Sequence, residues 1–146
     1  MIYSSRSLTR WKFRHSVVVI IGILFNLGFA VPMLLWPEWL MTQLNIPVGE
    51  QMIWPRYAGG LWVMLTVFYA PMVLDLDRFR ILAWLHVIPA RSFGTMFFLF
   101  AVVIYGAPAG FLVGAFIDGS ITILSLSCLI KVVGLEQAIA TGRADT

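Results

Sequence analysis

Long apolar runs separated by short polar punctuation dominate the chain. Four runs stand out, at residues 16–35, 51–74, 81–105 and 110–133. Each matches or exceeds the roughly 20 apolar residues that a helix needs to cross a bilayer. None alternates polar and apolar positions as a membrane β-strand does. In lipid, a helix satisfies its own backbone hydrogen bonds. The pattern therefore predicts an all-α integral membrane four-helix bundle, in one domain over residues 1–146. The breaks agree with it. Trp36-Pro37-Glu38 closes the first run, and Asp75, Asp77, Arg78 and Arg80 form a polar turn between the second and third. Gly106-Ala107-Pro108 separates the third from the fourth. Pro32, Pro71 and Pro89 fall inside or near the ends of runs, where membrane helices kink rather than stop.

The stretch from Pro37 to Pro47 is a short amphipathic segment bounded by prolines. Trp39, Leu40, Leu44 and Ile46 suit either the membrane surface or a turn packed over the bundle end, with Trp36 and Trp39 at headgroup level. Pro47 suits the first turn of the next helix. A start near Val48 would set Arg56 two turns inside.

Composition narrows the class. The chain has 146 residues, 60% hydrophobic and 12% charged, with a mean hydropathy of +0.90. Soluble domains carry about 25% charged residues, so a soluble enzyme, a disordered regulator and a nucleic-acid-binding domain are disfavoured. The charges are also sorted. Arg6, Arg10, Lys12, Arg14, Arg78, Arg80, Lys131 and Arg143 fall on one side of a four-span topology, and the loops around 36–50 and 106–109 hold no Lys or Arg. The positive-inside rule then places both termini in the cytoplasm. Residues 1–15 become a basic tail with His15 solvated in it, and 134–146 a short C-terminal tail. The net charge of +3 needs no nucleic acid to explain it. The expected location is the bacterial inner membrane. The mitochondrial inner membrane ranks second, because the Ser- and Arg-rich start resembles a presequence or signal n-region. An apolar run of this length without a small-residue cleavage site reads as an uncleaved span.

Candidate chemistry is sparse. The single cysteine, Cys128, makes no internal disulfide or Cys-x-x-Cys pair and reads as a small buried side chain. No His or carboxylate triad for zinc, no H-E-x-x-H, no G-x-S-x-G and no phosphate loop is present. His86 as the one histidine inside a run argues against intrinsic haem. No catalytic residue and no intrinsic cofactor is expected. Ionisable groups within spans are Arg56, His86, Arg91 and Asp118, and such groups usually face the bundle interior. At about 1.5 Å per residue, Arg56 and Asp118 come to the same depth, which predicts an Arg56–Asp118 pair. Arg91 falls nearer the cytoplasmic half, less suited to Asp118. His86 lies near the cytoplasmic interface, as an interfacial side chain, a pigment or metal ligand, or a proton carrier.

Small and polar residues form stripes: Gly110, Gly114, Asp118, Thr122 and Ser125; Gly22, Asn26 and Ala30; Arg56, Gly60 and Val63. Such stripes are packing faces in membrane helices. Arg56, Asp118, Asn26 and Thr122 therefore read either as a structural network fixing helix register or as the lining of a pocket for a small polar or quinone-like headgroup.

The chain resembles the small four-helix bacterial membrane proteins of the DoxX-like type and neighbouring four-helix families. The matching residues are Trp36-Pro37-Glu38-Trp39-Leu40, Leu44-Asn45-Ile46-Pro47, Trp54-x-Arg56 before Gly59-Gly60, then Arg91 and Asp118, over roughly Val17 to Val132. The resemblance implies a four-helix bundle, a membrane subunit near a quinone, and Arg56, Arg91 and Asp118 as the positions that matter. The leading expectation is a non-catalytic accessory or anchor subunit packing against other membrane subunits, in a quinone-linked complex. The alternative is an autonomous small-molecule or quinone binder or transporter, a homodimer with an internal Arg56–Asp118 site.

Overall fold

The computed structural model describes residues 2–142. The helices are α1 (Ile2–Leu35), α2 (Pro37–Gln43), α3 (Ile53–Leu74), α4 (Arg80–Leu85), α5 (Ser92–Val103) and α6 (Phe111–Ala140). A π-helical segment, His86–Arg91, joins α4 to α5 in one continuous rod. Four stretches are long and apolar enough to span a membrane: Ser5–Leu35, Ile53–Leu74, Arg80–Val103 and Phe111–Ala140. The chain is thus a multi-pass membrane protein built as an all-helical bundle. Large apolar side chains on its outer surface, such as Leu24, Val67 and Phe116, are exposed and suit lipid.

Helix α1 is the hub, packing on α3 and α6, while α5 packs on α6. At the bundle end away from α2, Val19, Tyr69, Met72, Leu76, Ala83, Val87, Leu129 and Val132 form the apolar core. Toward α2, α1 and α3 nearly touch. A methyl group at Gly59 would lie 2.9 Å from the Ala30 carbonyl oxygen and 3.1 Å from the Leu34 nitrogen. Only glycine lets the backbones approach this closely. The buried face of α3 is Gly59, Thr66, Tyr69 and Met72, not the expected Arg56–Gly60–Val63 stripe. Gly60 has open space around it. A one-residue offset turns a helical face by about 100°.

Three boundaries differ from expectation. Helix α1 runs back to Ile2, so the basic tail is helical rather than loose. Leu8 and Trp11 pack against the core, and Lys12 pairs with Asp77 at 2.7 Å and Glu136 at 3.1 Å. Likewise α6 continues to Ala140, with Glu136 held by Arg80 at 2.6 Å. These ion pairs extend helices beyond the apolar runs. Arg143 lies outside the described residues. Helix α3 starts at Ile53, not near Val48. Asn45, at φ 51°, turns the chain after α2 in the left-handed region that asparagine tolerates. The expected amphipathic segment is α2, with Pro37 in its first turn. Its Leu40 is buried, while Trp36 and Trp39 are exposed.

Pro32 and Pro71 leave their helices unbroken. Pro89 lies in the π-helical segment. A proline within a helix removes one N–H and clashes with the carbonyl four residues back, and a wider turn relieves both. The segment sets Arg91 toward the bundle interior.

Candidate functional site

Between α1, α3, α5 and α6, near the α2 end, a pocket of about 80 Å³ opens. Its walls are mainly apolar: the aromatic side chains of Phe25, Phe29, Trp62, Phe98 and Phe111, the aliphatic Met33 and Ile117, and Leu44 and Ile46 at the end of α2 and beyond. Phe29 meets Trp62 edge-on at 6.3 Å, and Phe98 stacks on Phe111 at 5.9 Å. Gly110 and Gly114 complete the wall on α6. Gly110 sits directly against the Leu44 carbonyl, and a methyl group at Gly114 would lie 2.8 Å from the Phe98 ring. Larger residues at either position would collide with the segment after α2 or with α5. The polar side chains that reach the pocket are Asn26 and Asp118, besides the Trp62 indole. The expected α6 stripe and the Gly22–Asn26–Ala30 stripe thus face inward.

Asp118 does not pair with Arg56. Its carboxylate accepts a hydrogen bond from Arg91 Nη1 in a buried ion pair. Arg91 is 3% exposed, and the Asp118 side chain keeps 21% exposure. Each guanidinium nitrogen of Arg91 has a partner. Nη2 donates to the Gly22 carbonyl at 3.1 Å, and Nε donates to His86 Nε2 at 3.3 Å. The His86 ring meets Tyr69 edge-on at 4.4 Å, and the Arg91 guanidinium carbon lies 5.6 Å from the Tyr69 ring centre. A guanidinium with a partner at each of its three nitrogens is an arrangement in which a buried cation is tolerated.

The start of α3 and close packing at two glycines explain the changed partner. Arg56 lies three residues after the start of α3 at Ile53, in the first turn, and donates to the Leu34 carbonyl at 2.6 Å. It is exposed. Arg91 is brought within reach by two glycines. A methyl group at Gly94 would lie 2.5 Å from Asp118 Oδ2, and one at Gly22 would lie 3.0 Å from Arg91 Nη2. The first lets Asp118 lie against the α5 backbone one turn from Arg91, and the second admits the guanidinium beside α1.

His86 is likewise buried rather than interfacial, at 1% exposure. In an α-helix, residues five apart point about 140° away from each other. The π-helical segment closes i→i+5 turns, so His86 and Arg91 meet. His15, expected in solvent, is fully buried. Thr122 carries a buried hydroxyl without a protein partner. Cys128 is buried, as expected. The structure therefore brings Asn26, His86, Arg91, Asp118 and Thr122 to the interior and leaves Arg56 at its edge. The aromatic walls and His15 carried no distinguishing signal. The glycines at 22 and 94 did, as gaps opposite a span arginine.

A second polar cluster closes the other end. Lys12 and Arg80 share Asp77 and Glu136, with Arg80 Nη2 at 2.7 Å from Asp77 Oδ1. The Lys12 ammonium beside Asp77 holds its carboxyl below the usual carboxylate range, and Arg80 adds to the effect. Among the described residues, no three His, Cys, Asp or Glu side chains are grouped to hold a metal ion. In comparisons with known proteins, the chain matches no family model, no curated protein and no solved structure.

Proposed function

We propose that this membrane protein binds a small, mainly apolar molecule in the aromatic pocket, oriented by Asn26 and Asp118. The pocket itself carries the reading. Its apolar walls with a few convergent polar groups are the usual composition of such sites. Asp118 offers acceptor lone pairs, and the Asn26 amide both donates and accepts. A ring headgroup bearing hydroxyl or carbonyl oxygens fits this chemistry, and a quinone or quinol is one such group. The DoxX-like resemblance points the same way. Charge sorting supports cytoplasmic termini, and the resemblance a bacterial inner membrane, so the pocket would open toward the opposite side.

A ligand that binds the folded state raises its apparent stability. A short-chain benzoquinol should therefore raise the melting temperature of the detergent-solubilised protein. The shift should vanish in Asn26→Leu, which removes the amide and fills the pocket floor. No shift with any of a panel of quinols, quinones and simple phenols would sink the reading.

The accessory-subunit reading is favoured by α5. That helix has no buried residue and presents Phe93, Phe97 and Phe100 outward. Purification in mild detergent tests it. A stoichiometric partner would support an accessory role, and a lone chain or homodimer would favour the autonomous binder.

A further inference from the structure

On the side of the Arg91–Asp118 pair away from the pocket, the bundle holds polar atoms that no protein group satisfies. They include both ring nitrogens of His15, Nδ1 of His86 and the hydroxyl oxygens of Thr122 and Ser125. His15 and Ser125 are fully buried, and His86 nearly so. Thr122 and Ser125 continue the α6 face that begins at Asp118, and His15, Val19, Gly22 and Asn26 share one face of α1. A buried polar group left unpaired costs about 1–3 kcal/mol. Internal water satisfies such groups, taking about three hydrogen bonds for each molecule.

The chemistry of each group assigns its part. Arg91 Nε–H can only donate, so His86 accepts at Nε2 and carries its own proton on Nδ1. That N–H is a fixed donor to water. His15 has both nitrogens free of protein partners, so it can take a proton at one and release a proton from the other. Lys12, with Asp77 and Glu136, precedes it by three residues, about 4.5 Å along the helix. At the opposite end Asp118 reaches the pocket. Carboxylates and imidazoles in series within membrane helices are the usual components of proton relays.

We propose that the column from His15 past Ser125 and Thr122 to Asp118 is a hydrated proton path joining the basic end of the bundle to the pocket floor. Water beside Asp118 gives up a proton, breaking one of its O–H bonds as the carboxyl O–H forms. That water is restored by the next donor back toward His15. His15 is reprotonated from solvent at the end held by Lys12, Asp77, Arg80 and Glu136. Release from Asp118 into the pocket completes the transfer, and the proton gradient drives it in either direction. Arg91 keeps its proton throughout, and its fixed charge excludes metal cations from the path. The titratable groups around the column are His15 from α1, Tyr69 from α3, His86 and Arg91 from the third span, and Asp118 and Cys128 from α6.

The test uses the full chain in liposomes that trap a pH-sensitive dye, with a potassium gradient and valinomycin setting the potential. No ligand is added, so the result stands apart from the binding reading. Proton influx above that of protein-free vesicles is expected. Asp118→Asn and His15→Phe should lose it, and Ser127→Ala, on the exposed side of α6, should retain it. Circular dichroism and gel filtration report folding. If Asp118→Asn misfolds, His15→Phe alone carries the comparison. Wild-type influx no faster than protein-free vesicles overturns the proposal, and so does full influx in folded His15→Phe.

Discussion

Arg91 and Asp118 neutralise each other in the interior, so removing one strands the other. Breaking a buried pair costs about 3–5 kcal/mol, whereas replacing both members by apolar residues of similar size is often neutral. Asp118→Ala should therefore lower unfolding stability in detergent by that order. The double variant R91M/D118L should recover much of the loss, which a double-mutant cycle measures directly. Gly94→Ala tests the same contact from the other side. Its methyl group would displace Asp118 Oδ2, 2.5 Å away, and overpacking of this kind costs about 1–3 kcal/mol. The identity of these charged residues and their burial were legible along the chain. Their pairing was not, because depth counted from helix ends carries errors of a turn, and the arginine side chain spans that error.

The glycine pair on α3 separates local from tertiary effects at the level of whole helices. Gly59 abuts the α1 backbone, and Gly60 faces open space. Backbone cannot yield as a side chain can, so Gly59→Ala should push α1 and α3 apart and lower the melting temperature. Gly60→Ala should be neutral or slightly stabilising, because alanine gains up to about 1 kcal/mol over glycine in a helix interior. Equal effects of the two substitutions would contradict the α1–α3 contact. The Gly59-Gly60 pair marks a close approach in the sequence, but either residue satisfies a small-residue pattern. The choice depends on helix rotation, which α1 decides. Similarly, Pro89 announces a local departure from α geometry. Only the completed π turn shows that His86 and Arg91 share a side.

The bundle as a whole is closed at one end by an ion-pair cluster, and its stability should register that. Asp77 titrates below its ordinary range in the folded chain. The unfolded chain then binds more protons as pH falls through the carboxylate range, so stability rises with pH there. The contribution is fully present above the ordinary Asp pKa, near 3.9, and is lost as pH falls through the lower folded value. The Asp77 side chain is 58% exposed, so the effect is small and screened by salt. Thermal melts below about pH 4 should show a decline that is smaller in Asp77→Asn, where Glu136 still titrates low beside Arg80 and Lys12, and that added salt flattens. Topology is testable at the same scale. Reporter fusions at both termini should be active on the cytoplasmic side, and fusions in the segment after α2 on the other. Opposite assignments for the two termini would contradict an even number of spans.

The sequence alone determined that four apolar helices cross a bilayer, that α2 lies between the first two, and that the α6 and Gly22–Asn26–Ala30 stripes face inward. Those features follow from run length, helical periodicity and proline placement, all local along the chain. Tertiary structure alone decided that Arg91 meets Asp118, that Arg56 stays at the edge, and that His15 lies in the interior. It also decided that aromatic residues from four helices enclose a pocket. The physical reason is the same in each case. Partner choice depends on the relative rotation and axial offset of helices, which are set by close contacts at Gly22, Gly59 and Gly94 between segments far apart in the chain.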